Sequence, residues 1–282
     1  MAESEFQRAS IAGTRRFRLH SKRIGETFQI DVALPARPSP SGRPMPVAYV
    51  MDSNTVFGIA VQAARFLQDG DQARPAIIVG IGYCLDGVIR PRKAYGALRV
   101  RDFTPSIDQV YLDRVKAARN GRFAPEDIRP AGGAHEFLEF LVEEVQPFIA
   151  EHYMIDPMDQ TLVGSSLGGL FSLYAFFQRP KAFQQYIANS PSLWWSGGEM
   201  MDLADQFVGS PGPVGKMFMS VGGDEPNDAP SLMLDNFHHL TQKLRRFEGL
   251  FLTSHVFDGE SHTSVIPAAL CRGLRSVFAS PS

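Results

Sequence analysis

Near the middle of the chain stands the sequence Thr161-Leu162-Val163-Gly164-Ser165-Ser166-Leu167-Gly168-Gly169-Leu170-Phe171. Its apolar first half ends in Gly-x-Ser-x-Gly and passes directly into apolar residues at helical spacing. The pattern predicts a strand, a tight turn at Ser166 and a helix, with Gly164 and Gly168 small because the flanking elements approach closely. The Ser166 hydroxyl is then expected at the helix N-terminus, where free backbone N–H groups favour a developing oxyanion. The resulting hypothesis is a serine nucleophile.

Strand-like and helix-like segments alternate along the rest of the chain. An alternating pattern over 15–34 predicts an N-terminal antiparallel hairpin. Later strands are predicted at 46–51, 75–82, 183–188, 216–221 and 250–257, a strand–turn–helix unit at 160–177, and helices at 57–67, 134–153, 232–247 and 264–278. This order predicts an α/β protein with the α/β-hydrolase fold: one doubly wound, mostly parallel sheet in a single domain over 1–282.

A long segment without periodicity, 83–133, interrupts this alternation. A segment of that length in a compact domain is typical of a lid or binding loop, so we expect an irregular, lid-like insertion here. It carries ten basic residues against six acidic ones; the basic residues are Arg90, Arg92, Lys93, Arg99, Arg101, Arg114, Lys116, Arg119, Arg122 and Arg129. Two interpretations stay open, a solvated surface loop and a basic lid that helps to hold an anionic or oxygen-rich substrate.

Composition excludes several classes of protein. The 282 residues are 44% hydrophobic and include 21 Phe, which is ample for a buried core. A net charge of −2 argues against nucleic acid or an anionic membrane surface as the main partner. The two cysteines, Cys84 and Cys271, form no Cys-x-x-Cys motif, and no metal-ligand cluster is visible, so no cofactor and no metal are expected. Without an apolar leader or membrane span, the sequence predicts a soluble cytoplasmic protein.

A serine nucleophile needs a histidine and an acid, which follow it in the α/β-hydrolase order. His262 lies in a loop after the last predicted strand, where parallel sheets place catalytic groups. The other downstream histidines, His238, His239 and His255, fall within predicted helix or strand. The acid is expected after the strand at 216–221, where position alone leaves three candidates: Asp224, Glu225 and Asp228. Asp258 and Glu260 lie too near His262 in sequence to face its far nitrogen well.

These residues define an order of chemical events. His262, held in the right tautomer by the acid, removes the Ser166 proton as the serine attacks an ester carbonyl. The backbone N–H of Leu167 is one expected oxyanion donor. A second donor is expected from Asp52-Ser53-Asn54, the loop after an early buried strand.

Eight short segments, spread over nearly the whole chain, match a known family in the same order. They are Val50-Met51-Asp52-Ser53-Asn54, Ile78-Val79-Gly80-Ile81-Gly82-Tyr83, Arg101-Asp102-Phe103-Thr104-Pro105, Gly132-Gly133-Ala134, residues 163–171, Ser190-Pro191-Ser192-Leu193-Trp194-Trp195, residues 221–225 and His262-Thr263-Ser264-Val265. The chain resembles the putative-esterase (esterase D-like) branch of the α/β-hydrolases. The Arg-Asp-Phe-Thr-Pro and Ser-Pro-Ser-Leu-Trp-Trp segments are most similar to the enterobactin-type siderophore esterases.

The resemblance implies roles for particular residues. It implies Ser166 as nucleophile, His262 as base and Glu225 as acid, and it places Asn54 and Leu167 at the backbone positions of the oxyanion hole. Ser53 stands where many members of the family have glycine. Arg101, Trp194 and Trp195 are implied as residues that line the substrate pocket, with packing beneath the loop as the alternative for the two tryptophans.

The favoured hypothesis is a serine carboxylic-ester hydrolase that forms an acyl-enzyme and takes a small-molecule ester, with siderophore-type esters or lactones as the substrate class. A general acyl esterase or a thioester hydrolase would use the same chemistry. An acyltransferase would differ only in the acceptor that resolves the acyl-enzyme. A hydrolase-fold binding protein without activity is the alternative from a different class.

Overall fold

The computed structural model describes residues 10–37, 42–85, 92–117, 131–207 and 215–279. These residues form an eight-stranded sheet in the order β1-β2-β4-β3-β5-β6-β7-β8. The strands are β1 (Thr14–His20), β2 (Thr27–Ala33), β3 (Met45–Met51), β4 (Ile77–Tyr83), β5 (Ile155–Ser165), β6 (Gln185–Asn189), β7 (Gly215–Gly222) and β8 (Leu250–Phe257). β2 is antiparallel to β1 and β4, and all other neighbouring pairs are parallel. The predicted mostly parallel sheet with an N-terminal antiparallel hairpin is confirmed.

Helices connect the strands. They are α1 (Ser53–Asp69), α2 (Arg92–Phe103), α3 (Gln109–Ala117), α4 (Ala134–Phe140), α5 (Gln146–His152), α6 (Leu167–Gln178), α7 (Glu199–Gln206), α8 (Met233–Leu244) and α9 (Ile266–Phe278). A π-helical turn, Leu141–Val145, joins α4 to α5, so that the helix predicted over 134–153 is continuous. Outside the 83–133 segment, the sequence predicted α1, α4, α5, α6, α8 and α9. It missed α7.

The described part of the 83–133 segment contains two helices, α2 and α3, where an irregular insertion was expected. The prediction failed because Arg99 and Arg101, which suggest a solvated face, are ion-paired to acidic side chains in this structure. Other basic residues of that expectation, Arg90, Arg119, Arg122 and Arg129, lie outside the described residues. The side chains of Arg92, Lys93 and Lys116 also lie outside them.

Each face of the sheet is covered by its own apolar cluster. On one face α1 and α9 pack together over the strands, with Val61 and Leu274 in their shared core. The other face is covered by α4 to α8, whose core is rich in aromatic rings such as Phe137 and Phe171. Removal of this apolar surface from water is the main driving force for the fold. Among the described residues, no helix has the length and apolar character needed to cross a bilayer.

Four loops meet at the carboxyl edge of the parallel strands. The loops after β3, β5, β7 and β8 all leave the sheet at this edge, because these strands run in the same direction. They carry Asn54, Ser166, Glu225 and His262, respectively. The carboxyl edge is where open parallel sheets bind ligands, so the fold brings all the predicted chemical groups to one place.

Candidate active site

Ser166 occupies the turn between β5 and α6. Its φ of 60° and ψ of −121° lie in a region that non-glycine residues rarely adopt, at a cost of about 1–3 kcal/mol. Neighbouring backbone holds this conformation: the Ser166 N–H donates to the Asn189 carbonyl at 2.9 Å, and the Ser192 N–H donates to the Ser166 carbonyl at 3.2 Å. A Cβ on Gly164 would overlap the carbonyl oxygen of Gly168, so the strand and the helix can approach only without side chains there.

Ser166, His262 and Glu225 form a continuous hydrogen-bonded chain. His262 Nε2 lies 2.9 Å from Ser166 Oγ, and His262 Nδ1 lies 2.6 Å from Glu225 Oε2. The carboxylate is fully buried, whereas the imidazole is 37% exposed and so faces the solvent side of the site. This geometry lets the imidazole accept a proton from the serine while its other nitrogen donates to the carboxylate.

Glu225 is held in the ionised state by three donors. Ser190 Oγ donates to Oε1 at 2.5 Å and the Gly222 N–H donates to the same oxygen at 2.8 Å, while His262 contacts Oε2. Burial raises the pKa of Glu225, but the bonds from His262, Ser190 and Gly222 together lower it by more, so the pKa lies below its ordinary value.

The other acidic candidates do not contact the imidazole. Asp224 and Asp228 have exposed side chains, as does Asp258. Among the described residues, the carboxylate that contacts the His262 ring is that of Glu225. The structure therefore separates the three positions after β7 that the sequence left equivalent.

Two helix N-termini converge beside Ser166. α6 begins at Leu167 and α1 begins at Ser53, and the strands that precede them, β5 and β3, are neighbours in the sheet. The first N–H groups of a helix have no partner within it. The side chain of Asn54 bonds both backbone groups of Tyr83, at 2.9 Å to the carbonyl and 2.8 Å to the N–H, so it does not cap its own helix. The backbone N–H groups of Asn54 and Leu167 belong to these two helix starts, and their role as an oxyanion pair stays a prediction.

A buried ion pair supports these two helix ends from below. Asp52, in left-handed conformation with φ of 64°, accepts bonds from Arg99 Nε at 2.6 Å and from Tyr95 Oη at 2.5 Å. Arg99 also donates to the carbonyl of Ser165, the last residue of β5, at 3.5 Å, so it contacts both the residue before α1 and the strand that leads to Ser166. Burial lowers the pKa of Arg99, but the charge of Asp52, its hydrogen bond to Arg99 and the neighbouring tyrosines together raise the pKa above its ordinary value, and the guanidinium stays charged.

The structure separates the three residues that were expected to line the pocket. Trp194 is partly exposed and lines a cavity of about 450 Å³ together with Tyr111, Arg114 and residues from the segments 107–110, 196–198 and 230–236. Trp195 is fully buried and donates from Nε1 to the Ser106 carbonyl at 3.2 Å. Arg101 is paired with Glu26 and Asp102, both at 2.6 Å. Arg101 and Trp195 do not line this cavity, so the expectation that they line the substrate pocket stays a prediction.

Sequence reasoning missed Ser190 and Ser192, which follow β6 at the same edge. Ser190 bonds Glu225, and Ser192 Oγ lies 3.4 Å from Ser166 Oγ. Their position at the carboxyl end of a strand was the available signal. The described part of the chain shows no cluster of His, Cys, Asp and Glu that could hold a metal ion.

Comparison with known proteins gives consistent similarities. Residues 98–263, more than half of the chain, match the family model described as putative esterase. The ferri-bacillibactin esterase of Bacillus subtilis is 34% identical over 275 residues, covering 94% of this chain and 90% of that protein. The siderophore triacetylfusarinine C esterase of Aspergillus fumigatus is 31% identical, covering 95% and 94%. The solved structure of the BES protein from Bacillus cereus has a TM-score of 0.82 at 29% identity, covering 99% of this chain and 100% of that one.

Proposed function

The chain belongs to the putative esterase family and is an esterase, and from this premise we propose that it hydrolyses siderophore esters through an acyl-enzyme on Ser166. The observation that carries the mechanism is the hydrogen-bonded chain from Glu225 through His262 to Ser166. The substrate class is supported by two relatives, each similar over more than nine-tenths of this chain, whose names specify siderophore esters.

In the proposed reaction, Ser166 Oγ attacks the ester carbonyl while His262 Nε2 takes the serine proton. The negative charge that develops on the carbonyl oxygen is stabilised by the N–H groups of Leu167 and Asn54 and by the helix ends to which they belong. When the tetrahedral intermediate collapses, the imidazolium returns the proton to the departing alkoxide, which leaves as the alcohol. A water then attacks the acyl-enzyme by the same route in reverse, with His262 first as base and then as acid.

The cavity beside the site supports a substrate with an aromatic or anionic part. Its walls come from the segment that follows Ser190 and Ser192 along the chain and from the segment that follows Glu225, and the triad residues themselves do not line it. Of the described basic residues in the 83–133 segment, Arg99 and Arg101 are ion-paired, whereas Arg114 is exposed and lines the cavity. The proposed basic contribution to substrate binding is therefore that of Arg114, beside the ring of Trp194.

Two further expectations belong to this proposal. The chain acts as a single domain, which is supported by the continuous sheet that its described strands form. It works in the cytoplasm; the chain has only two cysteines in 282 residues, and such sparse use of cysteine is usual in a reducing compartment. The alternative of an inactive binding protein is disfavoured by the intact geometry of all three triad positions.

The test uses a fluorophosphonate probe followed by mass-spectrometric mapping of the labelled residue. We expect labelling at Ser166 in the native protein and none in His262→Ala. The Ser166→Ala variant should lose nearly all hydrolysis of siderophore esters while keeping its thermal unfolding transition. Ester hydrolysis that survives in Ser166→Ala would refute the mechanism. A kcat/KM for simple acyl esters above that for siderophore esters would instead refute the substrate class and favour a general esterase.

A further inference from the structure

Each side chain of the Asp52-Ser53-Asn54 loop is tied to a different element. Asp52 is bound by α2 and Asn54 by the end of β4, as described above. The third tie joins Ser53 to β2: its Oγ donates to Asp31 Oδ2 at 2.5 Å. Both residues are buried, with 5% and 3% of their surface exposed. The triad and the oxyanion pair make no direct use of this contact.

The Ser53–Asp31 bond crosses over β4, which lies between β2 and β3. Asp31 and Gly80 are partners in the β2–β4 register, and a Cβ on Gly80 would overlap Ser53 Oγ. The hydroxyl can therefore reach Asp31 only because residue 80 has no side chain. Residues of α1, β4 and β2 therefore all take part in accommodating one hydrogen bond, which is buried.

The Ser53 hydroxyl does not serve its own helix. A serine at a helix start commonly accepts a bond from a free backbone N–H of the first turn. Here the residue before α1 is Asp52, no side chain caps this helix, and the Ser53 hydroxyl is turned to Asp31 instead. In the first turn of α1 the Thr55 N–H donates to the Asp52 carbonyl at 2.9 Å, whereas the Ser53 hydroxyl does not engage the N–H of Asn54.

We propose that Ser53, through its bond to Asp31, is a positioning residue that holds the backbone N–H of Asn54 in the oxyanion hole. This inference rests on the proposed function. An oxyanion donor acts only where the transition-state oxygen forms, and small misplacements of such groups are costly to turnover. Substrate binding in the cavity beside Trp194 does not involve Ser53, so its loss affects turnover and not the affinity for substrate.

The primary test is Ser53→Ala. Complete removal of one oxyanion donor lowers kcat by about 10²–10³, so we expect the displaced donor in this variant to cost about tenfold in kcat with little change in KM. The second readout is the affinity for an alkyl boronic acid, whose tetrahedral adduct on Ser166 places an oxygen in the oxyanion hole. That affinity should fall by the same factor as kcat/KM, which a merely structural role would not cause.

A matched pair of variants separates positioning from stability. Asp31 accepts bonds from Arg16 Nε and Gln29 Nε2, both at 2.7 Å, in addition to Ser53. Asp159, in the first half of the inner strand β5, likewise accepts one arginine and one glutamine: Arg74 and Gln185, both at 2.7 Å. Asp31→Asn should lower kcat about as much as Ser53→Ala, because an amide cannot accept from all of these donors. Asp159→Asn should reduce stability and leave kcat unchanged.

Wild-type kcat and boronate affinity in Ser53→Ala would overturn the inference. Equal losses of kcat in Asp31→Asn and Asp159→Asn would also overturn it. This pair of variants tests the inference even if Ser53→Ala does not fold. These outcomes leave the proposed function untouched, provided that Ser166→Ala is inactive. Activity in Ser166→Ala would refute the proposed function itself, so the two failures are distinguishable.

Discussion

Replacing Glu225 by glutamine tests the electrostatic logic of the site with almost no change in shape. One carboxylate oxygen, Oε1, receives two donors, Ser190 Oγ and the Gly222 N–H, whereas Oε2 faces His262 Nδ1. In Glu225→Gln the amide has one accepting oxygen, which the two donors hold at the Oε1 position. The amide nitrogen is then forced to face His262 Nδ1.

That orientation gives the imidazole the wrong tautomer. The amide N–H donates to Nδ1, so the ring proton moves to Nε2, which can no longer accept the proton of Ser166. A triad whose histidine is held in the wrong tautomer loses about 10⁴ in kcat, which corresponds to about 5.5 kcal/mol in the activation barrier. We expect a loss of this size in Glu225→Gln, since no other described carboxylate contacts the ring.

The measurement is kcat from single-turnover hydrolysis of a chromogenic ester, with the thermal unfolding transition recorded on the same samples. Asp224→Asn is the matched control, because it makes the same chemical change at the adjacent, exposed residue. Surface substitutions of this kind are nearly neutral, so its kcat should stay within about twofold of the wild type. A Glu225→Gln variant with more than about a tenth of wild-type kcat would contradict the reasoning, as would an equal loss in Asp224→Asn.

Two further predictions concern stability and substrate binding. Because the folded-state pKa of Glu225 lies below its ordinary value of 4.5, the ionised group stabilises the fold above that pH, and the contribution is lost as the pH falls through the lowered pKa. Urea unfolding should therefore show a difference between wild type and Glu225→Gln that shrinks below pH 4.5; a difference constant down to pH 3 would contradict this. Substitution of the two adjacent tryptophans should affect different quantities. Trp194→Ala should raise KM and leave stability unchanged. Trp195→Ala should lower the free energy of unfolding by about 3–5 kcal/mol. Equal effects of the two substitutions on stability would refute the assignment of Trp194 to the cavity and Trp195 to the core.

Local sequence patterns predicted the elements that depend on neighbouring residues. The turn at Ser166 was predictable because glycine spacing and apolar periodicity lie within eleven residues. The position of His262 was predictable because the α/β-hydrolase order fixes which loop must carry the base. The mostly parallel character of the sheet followed from the alternation of strands and helices, since parallel strands need crossover connections.

Contacts between distant residues were beyond such patterns. The choice of Glu225 depends on Ser190, which is 35 positions away in sequence and donates to the carboxylate. The helical nature of 92–103 was hidden because the partners that neutralise Arg99 and Arg101 include Asp52 and Glu26, which belong to other elements. The opposite orientations of Trp194 and Trp195 likewise depend on a carbonyl at Ser106 that no periodicity marks.

The ion pair between Arg99 and Asp52 has a consequence for how such a chain can diversify. The ion pair joins α2 to the start of α1. A mutation of Arg99 is therefore expected to alter turnover for every ester at once, and selection for a new substrate would act against such a mutation. Ile107, Val110 and Arg114 line the cavity and are exposed, so they can change one at a time without touching the reacting groups. In evolution and in library design alike, we expect α2 to stay constant and changes in substrate range to arise from substitutions in the segment from residue 107 to 114.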